Sequence, residues 1–282
     1  LSIRRQRQMC IRDRNSGAGA LETTDFAVTI AANGGAAGLT SATPTAISIS
    51  GTSYELTLAA SGTATGAEVY TVAPVANSIF DASGNVASTS QSTNTVTLND
   101  LTVPTMTIAS STSGVSDGTT TNDSPITLTF TAGEATTDFT ADDITVSGGN
   151  LGTLSGSGTT YTATFTPTAS GATTIDVAAD TFTDAAGNNN TAATQFNWTY
   201  DGIAPTMTIT ADEGNDGFTS NDATLSLTFT AGEATTDFTA DDITVSGGSL
   251  GTLSGSGTTY TATFTPSGSG AVSYTHLRAH ET

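Results

Sequence analysis

Acidic and amide side chains recur near the ends of the apolar segments of this sequence, where their oxygen atoms could bind a cation. Ca²⁺ takes about six to eight oxygen ligands, and carboxylates, amides and turn carbonyls supply them without nitrogen or sulfur. Eight residues have the required type and spacing. The candidate ligands are Asp100, Glu134, Asp138, Asp184, Asn188, Asp201, Glu233 and Asp237.

Most other site chemistry needs residue types that the interior of the chain lacks. The 282 residues include 6 basic and 26 acidic side chains, for a formal net charge of −20. Between residues 16 and 270 there is no Lys, Arg, His or Cys, and all acids except Asp13 and Glu281 lie there, so this interior carries −24. Nucleophilic triads, lysine-containing phosphate loops and zinc sites are therefore excluded. Nucleic acid is excluded as a partner as well, because such a surface repels phosphates.

Paired carboxylates are also the machinery of glycoside hydrolases, where they lie about 5–10 Å apart across a sugar cleft. In this chain, however, the candidate acids occur in near-identical copies. Duplicated positions favour a repeated structural role over a single active site. We therefore predict that the chain is not an enzyme.

The middle of the sequence is an internal repeat. Residues 128–167 and 227–266 are identical except that Asn150 is replaced by Ser249. The period of about 100 residues is a domain length, so each copy can hold its own core. A diverged copy precedes them: TTDF at 23–26 matches 136–139, and FDASGN at 80–85 resembles FTDAAGN at 182–188. The predicted repeats are a first at 16–102 without its opening strands, a complete second at 103–203, and a third at 204–271 without its closing strands.

Apolar residues alternate with polar ones throughout the second repeat, which is typical of antiparallel strands with one buried face. We predict strands near 104–110, 125–131, 143–147, 150–154, 159–166, 172–178 and 193–200. About seven strands in about 100 residues indicate an immunoglobulin-like β-sandwich. The predicted fold class is all-β, with tandem sandwiches.

This topology predicts where the acids meet. In such a sandwich, the loop after the second strand and the loop before the seventh lie at the pole where the chain enters. The first of these loops holds Glu134 and Asp138, the other holds Asp184 and Asn188, and the entering linker brings Asp100. We predict a structural Ca²⁺ there, and a second site at the next junction with Asp201, Glu233 and Asp237. The alternative is that these are solvated turn residues, since Asp and Asn favour turns.

Several motifs resemble those of the bacterial immunoglobulin-like (Big) domains found in tandem in large extracellular adhesins. FTADDITVSGG, YTATFTP, the DAAGN turn and the Asp-x-x-x-Pro junctions carry the resemblance across residues 16–270. It implies a secreted or surface-anchored bacterial adhesin, with neighbouring repeats and a cell-surface or glycan ligand as partners, and often with calcium between domains. The alternative is a non-catalytic spacer, or carbohydrate-binding modules, of a multidomain extracellular enzyme.

The two ends are a different kind of sequence. Residues 1–15 and 272–282 contain MCIRDR and SYTHLRAHET, which resemble translated sequencing-adapter read-through. Residues 1–15 also lack the apolar run of a signal peptide. We therefore interpret both ends as non-native and expect the natural protein to extend further on each side. No membrane insertion is predicted for the chain as it stands.

Overall fold

The computed structural model describes residues 2–4, 20–50, 53–81 and 83–276. The chain divides into two compact units, Leu1–Asp201 and Gly202–Thr282. The first unit contains the first and second predicted repeats, and the second unit contains the third. Residues 5–15, and with them most of the adapter-like N-terminal segment, lie outside the described residues.

The first repeat forms short strands around a small apolar core. Strand β1 (Ser2–Arg4) precedes it, within the segment predicted to be non-native. The elements of the repeat are a 3-10 helix (Thr23–Asp25), β2 (Phe26–Ala31), β3 (Gly38–Leu39), β4 (Ala46–Ser50), β5 (Ser53–Thr57), β6 (Ala60–Ser61), β7 (Val69–Pro74) and β8 (Thr95–Thr97). The strands pair in the orders β1-β5-β4, β2-β7-β8 and β3-β6. The buried core residues are Phe26, Val28, Leu56, Val72 and Ile79.

The second repeat is a two-sheet sandwich. Its elements are β9 (Met106–Ser110), β10 (Thr120–Thr121), β11 (Ile126–Thr136), a 3-10 helix (Ala141–Asp143), β12 (Ile144–Ser147), β13 (Gly149–Leu151), β14 (Ser155–Pro167), β15 (Gly171–Val177) and β16 (Phe196–Tyr200). One sheet has the order β13-β14-β11-β9 and the other β10-β16-β15-β12. The all-β prediction is confirmed, and each of the seven predicted strands has a counterpart. The pattern missed β10, whose two residues pair in parallel with β16 and are too few to show a period.

The alternation of apolar and polar residues along the strands determines which side chains form the core of this sandwich. On β11, Ile126, Leu128 and Phe130 are fully buried, while the threonines between them are less so. On β14, Phe165, Ala163 and Tyr161 lie opposite these three residues in the antiparallel register. Trp198 of the other sheet packs edge-on against Phe165, with ring centroids 6.3 Å apart. Burying each large apolar side chain contributes about 1.5–3 kcal/mol, so the paired faces stabilise the sandwich.

The third repeat forms the same first sheet. Its elements are β17 (Met207–Ala211), β18 (Leu225–Thr235), a 3-10 helix (Ala240–Asp242), β19 (Ile243–Ser246), β20 (Gly248–Leu250), β21 (Ser254–Pro266) and β22 (Ser273–His276). The sheet order β17-β18-β21-β20 repeats that of the second repeat, and β19 pairs with β22.

Strand β22 lies within the segment predicted to be non-native. Val272 and Tyr274 alternate with polar residues and pack against the core of the third repeat, which is enough to form a strand beside β19. Residues 277–282 lie outside the described residues. The origin of this segment stays a prediction.

One sequence match in the first repeat is wrong. The segment TTDF at 23–26 was matched to 136–139, but Thr23–Asp25 is a 3-10 helix that leads into β2. Its Asp25 carboxylate accepts a hydrogen bond from the Glu22 N–H, as the Asp143 carboxylate does from Thr140. The segment is therefore the counterpart of residues 141–144. A four-residue match is weak evidence in a chain so rich in Thr and Asp.

Candidate metal centre

Three of the eight predicted ligands lie together in the structure. Asp100, Glu134 and Asp184 each present a carboxylate oxygen, and these oxygens are all within 4.8 Å of one another. Asp100 follows β8, Glu134 lies near the end of β11, and Asp184 lies between β15 and β16. We call these three residues the carboxylate cluster.

The Asp184 side chain is fixed by its own turn. Its Oδ1 accepts hydrogen bonds from the N–H groups of Ala186 and Asn188, at 2.8 and 2.9 Å, and its Oδ2 accepts one from Asn188 Nδ2 at 2.8 Å. The side chain is only 7% exposed. Burial alone would raise the pKa of Asp184, but the hydrogen bonds from Asn188 and Ala186 outweigh it, and the pKa lies below its usual value. The carboxylate therefore stays ionised.

The first repeat contains the same turn. Asp81 accepts hydrogen bonds from the N–H groups of Ser83 and Asn85 and from Asn85 Nδ2, each at 2.8 Å. The match of FDASGN to FTDAAGN is confirmed by these identical contacts. An Asp that binds backbone N–H groups two and four residues ahead is an Asx-type turn, which explains why the motif recurs.

Asn188 joins this turn to the linker between the repeats. Its Nδ2 donates to the main-chain carbonyl of Asp100 at 3.3 Å as well as to the Asp184 carboxylate. The Asp100 Oδ1 accepts a hydrogen bond from the Thr102 N–H at 3.0 Å. The predicted ligand Asn188 thus lies beside the carboxylate cluster.

Glu134 experiences the charge of the other two acids. The register between β11 and β14 shifts between Thr131 and Thr136, and Glu134 lies within this irregular stretch. Burial, followed by the negative charges of Asp100 and Asp184, raises the pKa of Glu134. Bringing these groups together is repulsive, because residues 16–270 contain no cationic side chain. An all-oxygen, anionic donor set of this kind fits a hard divalent cation such as Ca²⁺.

Asp138 has a different role in the structure and is not brought into the cluster. Its Oδ1 accepts a hydrogen bond from Thr136 Oγ1 at 2.7 Å, and its Oδ2 accepts one from Thr183 Oγ1, also at 2.7 Å. The Thr183 N–H donates to both oxygens at 3.0 Å. Asp138 therefore ties the segment after β11 to the loop that carries Asp184.

The remaining predicted ligands belong to the next junction. Asp201 ends the first unit, and its N–H donates to the Thr121 carbonyl at 2.9 Å. Within the second unit, one carboxylate oxygen of Glu233 is buried and has no hydrogen-bond partner among the described residues, and Asp237 is exposed. The second cation site stays a prediction.

Glu68 is a buried acid that the sequence reasoning missed. Its side chain is 0% exposed, and its carboxylate accepts hydrogen bonds from the N–H groups of Ala37 and Thr65 at 2.8 and 3.0 Å. The hydrogen bond from Ala37 outweighs burial and, together with those from Thr65, lowers the pKa of Glu68 to about 2. The signal for it was a lone acid immediately before the alternating strand Val69–Pro74.

The sequence also matches a known family of protein domains. A sequence profile of the bacterial Ig-like domain matches residues 100–200 and 201–279, which is more than half of the chain. The chain belongs to the bacterial Ig-like domain family. The boundary between the two matched regions of this bacterial Ig-like chain lies within one residue of the boundary between its compact units.

Structural similarity to solved proteins is weaker. One similar structure is FdeC, described as a novel, broadly conserved Escherichia coli adhesin eliciting protection against urinary tract infections. It is 20% identical, the match covers 85% of this chain and 76% of FdeC, and the TM-score is 0.36. The family assignment rests on the sequence profile instead.

Two further observations concern curated relatives and membrane-spanning helices. No curated protein matches the sequence significantly. Within the described ranges, no helix of this bacterial Ig-like chain has the length and apolar character needed to cross a bilayer.

Proposed function

We propose that this chain is a structural and adhesive repeat array of a secreted or surface-anchored bacterial adhesin, stiffened by Ca²⁺ at the junction of its first two repeats. The observation that supports this proposal most is the carboxylate cluster. Asp100 comes from the linker, whereas Glu134 and Asp184 come from the second repeat. A cation held by all three would tie the linker to the pole of the second sandwich.

Electrostatics favours a cation at this place. Two like charges about 5 Å apart repel by on the order of 3 kcal/mol at an effective dielectric constant of about 20, and by less where water screens them. The raised pKa of Glu134 has this repulsion among its causes. A divalent cation turns the repulsion into attraction, with Asp100, Glu134 and Asp184 as carboxylate ligands.

The function would then be mechanical. Without a cation, the linker can change its direction where it enters the second repeat, whereas a linker bound through Asp100 has a fixed entry into that repeat. Repeating this arrangement along an array would produce a rod that carries an adhesive surface away from the cell.

Carbohydrate-binding modules are the less favoured alternative. Such modules use exposed aromatic rings on which sugars stack. The chain has 11 Phe, 6 Tyr and 1 Trp, and all of them lie in the described residues. None of these rings is exposed, and Trp198 lies in the core of the second repeat.

Calcium titration of the full chain tests the proposal. Trp198 fluorescence during thermal unfolding reports on the second repeat, and isothermal titration calorimetry measures binding. Ca²⁺ at 100 times its dissociation constant should stabilise this repeat by about 2.7 kcal/mol. Asp184→Asn and Glu134→Gln should remove most of this effect. Asp142→Asn removes the same charge at an exposed position and should leave the effect intact.

Small-angle scattering provides the mechanical readout. We expect the distribution of chain dimensions to narrow with Ca²⁺ and to broaden with a chelator. If Ca²⁺ changes neither the melting temperature nor the dimensions of the wild-type chain, the calcium part of the proposal is wrong.

A further inference from the structure

The buried Glu68 carboxylate connects two loops of the first repeat. Besides the N–H groups of Ala37 and Thr65, it accepts a hydrogen bond from Thr65 Oγ1 at 3.3 Å. Gly35 lies against the same carboxylate, so closely that a Cβ at this position would overlap it. The carboxylate is therefore enclosed by backbone on the side of residues 35–37 and by Thr65 on the other side.

An ionised carboxylate in such a place needs a reason. Burying a charge is unfavourable unless hydrogen bonds compensate it, and an apolar side chain could fill the same volume without that cost. Unlike an apolar side chain, the carboxylate can accept hydrogen bonds from the N–H groups of two loops at once. The reason for a buried carboxylate at this position is therefore to be found in the segments that these two loops contact.

The turn that contains Thr65 holds the linker to the second repeat. Thr65 forms an isolated antiparallel bridge with Asp100. The neighbouring Ala64 carbonyl accepts hydrogen bonds from the Leu101 N–H at 2.9 Å and from Thr102 Oγ1 at 3.2 Å. Gly66, at φ +76°, brings the backbone of the turn against the Asp100 side chain.

Apolar burial does little to hold this linker. Leu101 is 62% exposed and Val103 is 46% exposed. On the side of the first repeat, the linker is therefore held by its hydrogen bonds to the turn at 64–66, and Glu68 holds that turn.

We infer that Glu68 is a positioning residue of the junction: it fixes the turn at 64–66, and thereby places Asp100 in the carboxylate cluster. The low pKa of Glu68 is consistent with this role, because the ionised carboxylate is the form that the hydrogen bonds from the two loops stabilise. The part of the inference that concerns cation binding rests on the proposed function. The part that concerns the linker does not.

Amide hydrogen exchange of the Leu101 N–H tests the linker part. Glu68→Gln keeps the size of the side chain but has only one acceptor oxygen, and its Nε2 would face an N–H donor. We expect the Leu101 amide to exchange about tenfold faster or more in this variant, which is the effect of losing about one hydrogen bond. Glu55→Gln removes the same charge at an exposed position of the same repeat and should leave the rate unchanged. Unchanged protection of Leu101 in a folded Glu68→Gln chain would overturn the inference.

A double-mutant cycle with Asp100 tests whether Glu68 acts through that residue. We expect Glu68→Gln to weaken Ca²⁺ binding about tenfold in the wild-type background. It should cause little further loss when Asp100→Asn is already present, because two residues that act through one contact are not additive. Additive losses would show that Glu68 acts through general stability, and would overturn the inference.

The two proposals fail differently. If the wild-type chain binds no Ca²⁺, the calcium proposal fails, while the exchange rate of Leu101 still decides the role of Glu68. If Glu68→Gln prevents the first repeat from folding, Thr65→Val provides the second variant. It removes one hydrogen bond to the carboxylate and keeps the N–H of residue 65. A faster Leu101 exchange in that variant supports the inference, and an unchanged rate contradicts it.

Discussion

The second and third repeats have nearly the same strand sequence, but their acidic side chains lie in different surroundings. Residues 128–167 and 227–266 differ only at Asn150 and Ser249. Their main strand pairs have the same register, with Phe130 opposite Tyr161 in one and Phe229 opposite Tyr260 in the other. Even the irregular stretch at the end of β11 recurs at the same place in β18.

The two copies differ where other segments reach them. Glu134 lies in the carboxylate cluster, whereas its counterpart Glu233 has a buried carboxylate oxygen with no hydrogen-bond partner in the part of the chain that the structure describes. Phe139 is buried against Phe182 with ring centroids 5.1 Å apart, whereas its counterpart Phe238 is only half-buried. Strand pairing is thus a property of the repeated sequence itself. The environment of its acids is supplied by the linker and by the loop at 180–190.

The largest expected effect tests whether the two cores are equivalent but independent. Phe165→Ala and Phe264→Ala remove matching rings that are fully buried. Each substitution should cost about 3–5 kcal/mol, as the loss of a core Phe usually does. In calorimetry, each should lower the transition of its own repeat.

Trp198 fluorescence separates the two variants. We expect Phe165→Ala to lower the unfolding midpoint that it reports, and Phe264→Ala to leave it unchanged, because Phe264 lies in the other compact unit. If both substitutions lower this midpoint equally, the repeats unfold as one cooperative body, and the comparison of independent copies does not hold.

An intermediate effect is expected at the matched pair Asp138 and Asp237. Asp138→Asn disturbs hydrogen bonds from Thr136 and Thr183 and should cost on the order of 1 kcal/mol, since the site is exposed. Asp237→Asn should cost less, because Asp237 is exposed and the hydroxyl of Thr235, the counterpart of Thr136, bonds with Gly257 and Tyr260 instead. Denaturant unfolding at pH 7 measures both differences.

The effect of Asp138 should depend on pH. Burial would raise the pKa of Asp138, but hydrogen bonds from Thr136 and Thr183 lower it below its usual value. The stabilisation is therefore present above the ordinary pKa of Asp and is lost as the pH falls through the lowered value of the folded state. A difference between wild type and Asp138→Asn that stays constant on acidification would contradict this account.

The smallest effect is expected at the one position where the copies differ. Asn150 is exposed on β13, and Ser249 takes its place on β20. Asn150→Ser should change the free energy of unfolding by less than about 0.5 kcal/mol, as surface substitutions usually do. Thermal unfolding followed by Trp198 fluorescence is sensitive enough, since 1 kcal/mol shifts the melting temperature of such a domain by about 4–8 °C. A larger change would mean that the two copies are not energetically equivalent.

Sequence reasoning placed the strands well because their signal is local. The alternation of Ile126, Leu128 and Phe130 determines which face is buried, whatever the rest of the chain does. Short segments do not carry such a signal. The two residues of β10 have no period, and TTDF was assigned to the wrong part of the first repeat.

The candidate site could be predicted only in part. Asp100, Glu134 and Asp184 were expected at one pole because the order of strands in a sandwich determines which loops meet. The same argument gave Asp138 as a ligand, although its oxygens bind Thr136 and Thr183 instead. Which way a carboxylate points depends on the donors around it, and these come from segments far apart in the chain.

By itself, the sequence determined the repeat, the alternating strands and an acidic interior with no cationic side chain. These features follow from residue type and spacing alone. Only the tertiary structure decided which acids share a cluster, which one is tied up by threonines, and that a buried Glu68 holds the turn beside the linker. Each of those outcomes needs contacts between groups that are far apart in the chain, such as Glu68 with Ala37 at 31 residues and Asp138 with Thr183 at 45 residues, and no local pattern encodes such contacts.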